Sequence, residues 1–75
     1  MKVQLWKILL DAKYTNVGEW LEEELIVVAP NALSAVRKAR KHVRSYSFDN
    51  GAKGRARCVN SRLTGVELRY DIDVV

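Results

Sequence analysis

The sequence predicts a two-layer α+β domain in which one helix packs on an antiparallel four-stranded sheet, in the order β-β-α-β-β. Two apolar, strand-like runs precede the only segment with helical periodicity, and two further strand-like runs follow it. The last run alternates apolar and charged residues, which is typical of an antiparallel strand with one buried face. A chain of 75 residues is the size of one domain, here 1–75, with a thin core.

The first two strands are predicted at residues 3–10 and 20–29. The first run is apolar except at Gln4 and Lys7, and the segment between the runs contains Asn16 and Gly18, which favour turns. The second run ends at Pro30, which lacks the N–H group that a central strand needs. The two runs therefore predict a β-hairpin.

The helix is predicted to begin after Asn31, whose side chain can accept a hydrogen bond from the free N–H groups of the first turn. Its apolar residues recur every three to four positions and form one stripe. The stripe contains Ala32, Val36, Ala39, Val43 and Tyr46, with Ala35 and His42 along one edge. The small alanines predict a helix axis that lies close to the sheet.

The last two strands are predicted at residues 55–60 and 66–75, with a loop at 61–65 between them. In the final run, the apolar residues occupy alternate positions and are expected to share one buried face. These residues are Val66, Leu68, Tyr70, Ile72 and Val74. The charged residues between them, Asp71 and Asp73 included, form the solvated face, and cross-strand pairing with Arg55 or Arg57 accounts for the two aspartates.

Both faces of the first two strands carry large apolar side chains, and one helix covers only one face of a sheet. Two explanations remain open. In the first, the strands twist and bulge enough for the domain to bury both apolar sets, with the tryptophans only partly exposed. In the second, a homodimer or partner interface is built around Trp6 and Trp20.

Positive charge is concentrated in the middle of the chain. Residues 26–65 contain nine basic residues and one acid, Asp49, giving +8, while the rest of the chain carries −4; the two values sum to the net charge of +4. The nine basic residues are Arg37, Lys38, Arg40, Lys41, Arg44, Lys53, Arg55, Arg57 and Arg62. The chain is therefore strongly polarised along its length.

Five of these residues fill the helix surface opposite the apolar stripe, without an acid among them. A solvated helix usually mixes charges, because oppositely charged pairs four residues apart are stabilising. A surface of one sign suits contacts with the phosphates of DNA or RNA, and Tyr14, Tyr46 or Phe48 could stack on unpaired bases. The sequence therefore predicts a nucleic-acid-binding protein.

The alternative is a protein-interaction or homodimeric module, in which the basic helix contacts an acidic protein and an apolar sheet face anchors the contact. The run of Glu22, Glu23 and Glu24 could face the helix of a neighbouring copy, or could be a solvated strand edge that discourages aggregation. Both alternatives use the same charges as the nucleic-acid hypothesis.

Enzymatic activity is not predicted. His42 has no evident catalytic partner, and no motif for a cofactor, a metal ion or a small-molecule substrate is present. The single cysteine, Cys58, is expected to be a small buried hydrophobic residue. With neither a membrane span nor a disulfide framework predicted, the expected location is the cytoplasm.

Overall fold

The computed structural model describes residues 2–73 and confirms a helix packed on an antiparallel four-stranded sheet, with strand order β2-β1-β4-β3. The order along the chain is β-β-α-β-β, with a short 3₁₀ turn at Gly51–Lys53 before the last strand. The elements are β1 (Lys2–Tyr14), β2 (Trp20–Ala29), α1 (Ala32–Ser45), β3 (Ser47–Asp49) and β4 (Arg55–Asp73).

The predicted hairpin is confirmed, but its first strand is longer than expected. β1 and β2 pair without irregularity from Gln4 opposite Ala29 to Lys13 opposite Trp20. β1 continues past the predicted end at Leu10 because Ala12 and Tyr14 lie on the side of the sheet that the helix covers, and both are buried.

The last two strands differ from the prediction. Residues 61–65 are not a loop, and a single strand, β4, runs through them for 19 residues. The remaining strand is β3, which has three residues and pairs only with Arg55–Arg57. Three residues are too few to show a period, so the sequence pattern did not reveal β3.

β4 reaches its length through three irregularities in its pairing with β1. The register shifts beside Val59, Thr64 and Arg69, so that residues 58–73 of β4 (16 residues) lie along residues 2–14 of β1 (13 residues). Each extra residue is a β-bulge, which bends the strand and increases its twist.

The bulge at Arg69 divides the apolar residues that were predicted to share one buried face. Leu68 lies opposite Trp6 on the helix side of the sheet, whereas Tyr70 lies opposite Leu5 on the other side. The single-face prediction is therefore wrong, because one inserted residue reverses the alternation. Val74 lies outside the described residues.

The helix begins as predicted, since the Asn31 side-chain oxygen accepts a hydrogen bond from the Ser34 N–H at 2.9 Å. Its buried residues are Ala35, Ala39 and Val43. Tyr46 is not part of the buried stripe, because the backbone is already extended there and the side chain is 52% exposed. Ala35, predicted at the edge of the stripe, takes a central place.

The core is small and lies between the helix and one half of the sheet. Its two largest fully buried side chains are Ile8 and Leu10. Cys58 is buried beside them, as predicted, and is a free thiol. None of the helices within residues 2–73 is both long enough and apolar enough to cross a membrane.

Candidate nucleic-acid interface

The sheet has a helix side, on which α1 packs, and an open side. Alternate residues of β1 face each side, so Ile8 and Leu10 lie on the helix side and Leu9 and Asp11 on the open side. Each residue of β2 and β4 shares the side of the β1 residue directly opposite it.

The five basic residues of α1 form the outer surface of the helix side. We call them the helix cations: Arg37, Lys38, Arg40, Lys41 and Arg44. All are exposed except Arg40, which is half-buried. The Lys38 Nζ donates a hydrogen bond to the Val28 carbonyl oxygen at 2.8 Å, which anchors one rim of this surface to β2.

Arg44 lies at the opposite rim, towards β4. Arg44 is six residues after Lys38, so the two side chains are about 120° apart around the helix. The helix cations therefore span the helix surface from its β2 side to its β4 side.

No acidic side chain neutralises the helix cations within residues 2–73. The ion pairs found there join Lys7 to Glu24, Arg62 to Asp11 and Arg69 to Glu67, and none includes a helix cation. The charge of this surface is consequently available to a ligand.

Three further predicted residues lie at the end of the sheet beyond the helix C-terminus. Arg55 and Arg57 flank the buried Ala56 and are exposed, so they lie on the open side. The Arg55 Nε donates to the Ser47 Oγ at 3.1 Å. Lys53 is in the adjacent 3₁₀ turn, where its carbonyl oxygen accepts a hydrogen bond from Asn16.

Arg62 is engaged elsewhere. Its Nε lies 3.0 Å from the Asp11 Oδ2, and its guanidinium group lies 4.4 Å from the centre of the Trp20 ring. The nine predicted residues thus do not form one surface. Five are together on the helix, Arg55 and Arg57 are at one end of the open side with Lys53 in the adjacent turn, and Arg62 is held within the sheet.

The aromatic candidates have different environments. Tyr14 is buried, and its hydroxyl donates to a Glu23 carboxylate oxygen at 2.8 Å. Burial, with the neighbouring Glu23, raises the Tyr14 pKa well above its ordinary value. Tyr46 is exposed, two residues after Arg44, with its ring centre 6.2 Å from that of Phe48. Of the three candidates, Tyr46 is the exposed one, and it directly follows the helix that carries the helix cations.

The sequence pattern placed Tyr46 in the core because it continued the helical spacing. One signal pointed the other way: Tyr46 and Phe48 alternate with Ser45 and Ser47, as residues of a strand do.

The two tryptophans lie on opposite sides of the sheet. The Trp6 Nε1 donates to the Ala29 carbonyl oxygen at 3.3 Å, and the ring packs against the core on the helix side. Trp20 lies opposite Lys13, on the open side, beneath Arg62. One flat partner surface cannot contact both rings.

The acidic residues also differ from expectation. Asp71 accepts a hydrogen bond from the Gln4 Nε2 at 2.7 Å, and Asp73 lies opposite Lys2. Pairing with Arg55 or Arg57 is therefore wrong, because all four residues belong to one strand and lie towards its opposite ends. The three consecutive glutamates are divided as well, since Glu23 faces the helix side while its neighbours Glu22 and Glu24 face the open side.

No family model, characterised protein or solved structure matches this chain. Within the described part of the chain, no group of three His, Cys, Asp or Glu side chains is arranged to hold a metal ion. The helix cations and the aromatic residue beside them are therefore the features of this chain that bear on its function.

Proposed function

We propose that the protein is a non-enzymatic nucleic-acid-binding protein that contacts phosphates through the helix cations. The observation that supports the proposal is a helix surface with five positive charges and no ion-pair partner within residues 2–73. Each phosphate neutralised by such a surface releases condensed counterions, which favours binding irrespective of base sequence.

The geometry of α1 suits a groove or a strand lined with phosphates. Its 14 residues give a rod about 20 Å long, and the DNA major groove, about 12 Å wide, admits a helix. Cations on both rims, such as Lys38 and Arg44, can contact phosphates on either side of it. Tyr46, at the C-terminal end, adds a surface on which an unpaired base can stack.

The phosphate contacts can be tested by fluorescence anisotropy with single- and double-stranded oligonucleotides over a range of salt concentrations. The test variant is Arg37→Gln with Lys41→Gln, and the control is Lys2→Gln with Lys13→Gln. All four side chains are exposed, and both variants lower the net charge by the same amount. We expect only the helix variant to bind weakly, with a duplex salt slope reduced by about two, since each lost phosphate contact removes about 0.9.

Equal weakening by the two variants would show that only the net charge matters, and would overturn the assignment to α1. Absence of binding by the wild-type protein at about 50 mM salt, where phosphate contacts are strong, would overturn nucleic-acid binding altogether.

A second candidate function is a module that binds an acidic protein. It is favoured by exposed apolar side chains on the open side, including Ile26 and Val28, which are unusual on a surface without a partner. Poly-glutamate serves as the probe in the same assay. Tighter binding to poly-glutamate than to nucleic acid at equal salt would favour this candidate.

A cytoplasmic location belongs to the same proposal. The one cysteine, Cys58, is a buried free thiol, so the fold does not draw on an oxidising compartment.

A further inference from the structure

The outer edge of β4 has no strand beside it over most of its length. β1 occupies one edge of β4 from Cys58 to Asp73, whereas β3 covers the other edge only at Arg55–Arg57. Within residues 2–73, the outer edge of residues 58–73 therefore presents unpaired backbone groups. Such an edge is a template for another strand.

This segment has bulges and charged side chains, which discourage edge pairing, but it lacks two other common protections of an edge. Lysine and proline, which discourage edge pairing, are both absent from residues 58–73. Of the nine large apolar side chains that are exposed within residues 2–73, five are on this segment. They are Val59, Leu63, Val66, Leu68 and Tyr70.

We propose that two copies of the chain pair antiparallel through this edge, about a two-fold axis between Thr64 and Gly65, and form one continuous eight-stranded sheet. The proposal does not depend on nucleic-acid binding. An antiparallel pair of this kind has its two-fold axis perpendicular to the sheet. Residues on the helix side of one copy therefore lie beside residues on the helix side of the other copy.

The apolar residues match in this register. Leu63 and Val66, which lie opposite Leu10 and Ile8 of β1, are both on the helix side, and each faces the other residue in the second copy. Val59 meets Tyr70 of the second copy, and both side chains are 59% exposed in the monomer. The pairing would cover four of the five exposed apolar side chains of the segment with one another.

The charges match as well. Arg62 and Glu67 lie opposite Asp11 and Lys7, on the open side, and each faces the other in the second copy, so the ion pair forms twice. In the monomer the Arg62 guanidinium lies over Trp20 and beside Asp11, on the β1 side of β4, and Glu67 is paired with Arg69. Formation of the dimer would replace these contacts by the two ion pairs between the copies. A register centred on Glu67 also keeps the sides matched, but it places two Glu67 carboxylates face to face.

The length of the open edge fits this register. Cys58 meets Asp71 of the second copy, and the next residue, Arg57, is already paired with β3. The pairing between the copies therefore ends where β3 begins. In this assembly the 19 residues of β4 are paired on the outer edge partly by the three-residue β3 and partly by the second copy.

Charge reversal gives a direct test by sedimentation velocity and native mass spectrometry. The wild-type protein is expected to form a dimer of about 17 kDa, twice the 8.6 kDa of one chain. Arg62→Glu and Glu67→Arg each place like charges opposite one another and should lower the association constant about tenfold or more. An equimolar mixture of the two variants restores opposite charges at both positions and should form heterodimers.

A wild-type protein that stays monomeric at high concentration would overturn the proposal, as would variants that dimerise normally or a mixture that does not associate. Circular dichroism of each variant verifies that the fold is retained.

The apolar contacts are tested with Tyr70→Lys against Ile26→Lys. Tyr70 is 59% and Ile26 54% exposed, and both are on the open side, but Ile26 lies on β2 at the far edge of the sheet. We expect dimerisation to be lost only in Tyr70→Lys. Loss of dimerisation in Ile26→Lys as well would assign the contact to the open face instead of the β4 edge.

Discussion

Tyr14 shows how one residue links the hairpin to the core. Its ring meets Phe48 edge to face at 5.3 Å between ring centres, and its hydroxyl is bonded to Glu23. Replacement by phenylalanine keeps the ring and removes the hydrogen bond. We expect Tyr14→Phe to lower the free energy of unfolding at pH 7 by about 1 kcal/mol, measured by urea denaturation.

The raised Tyr14 pKa makes this difference depend on pH. In the unfolded chain the tyrosine ionises near pH 10, whereas in the folded chain it keeps its proton. The stabilisation is thus complete below pH 10 and is lost as the pH rises towards the folded pKa. Between neutral pH and pH 11, the free energy of unfolding should fall by about 1.4 kcal/mol more in the wild-type protein than in Tyr14→Phe. An advantage of the wild type that stays constant from pH 7 to about 11 would contradict the assigned environment.

Features that depend on single residues and their near neighbours were predictable from the sequence. The Asn31 cap and the burial of Cys58 follow from hydrogen bonding and composition alone. Features that depend on distant partners were not predictable. Arg62 looked like a free basic residue, because neither the ring of Trp20 nor the carboxylate of Asp11 is near it in sequence.

At the scale of the elements, the helix was predictable because its apolar period is regular, and the hairpin because two apolar runs flank residues that favour a turn. β4 was not, because each bulge inserts one residue that changes the period only locally. The apparent alternation from Val66 to Ile72 was real in the sequence. The bulge at Arg69 moves the apolar residues after it to the other side of the sheet. This bulge is a feature of the pairing with β1, and the sequence of β4 alone does not show it.

The fit of α1 against the sheet depends on its alanines. Ala35 and Ala39 are fully buried, so additional side-chain atoms there have no space. We expect Ala39→Leu to lower the free energy of unfolding by about 1–3 kcal/mol through overpacking, measured by thermal and urea denaturation. Ala52→Leu, at an exposed position of the 3₁₀ turn, is the control and should have little effect. Equal stability of the two variants would mean that the helix lies farther from the sheet.

At the scale of the whole molecule, charge and apolar surface are separated. The described chain measures about 49 × 22 × 14 Å, with the basic helix over one part of the sheet and the exposed edge of β4 along another. Pairing through that edge would place both helices on the same side of one long sheet. The two proposals then make a joint prediction.

Glu67→Arg separates electrostatic attraction from assembly. The substitution adds two units of positive charge, which on its own would strengthen binding to phosphates. If dimers present two helices to one nucleic acid, loss of the dimer should instead weaken binding to a long duplex, since two linked contacts bind more tightly than one. Anisotropy with a long and a short duplex distinguishes these results. Tighter binding to both would show that the helices act singly.

The pairing of β1 with β4 also governs how the chain folds during synthesis. Lys2 is paired with Asp73, so the central ladder of the sheet joins residues that are made at widely different times. The hairpin and the helix can form from neighbouring residues. One edge of β1, however, stays unpaired until β4 has left the ribosome, and the apolar side chains of β1 stay exposed for the same time. Long-range pairing of this kind is slow. The interval before β4 arrives is therefore the time at which the nascent chain is most exposed to aggregation.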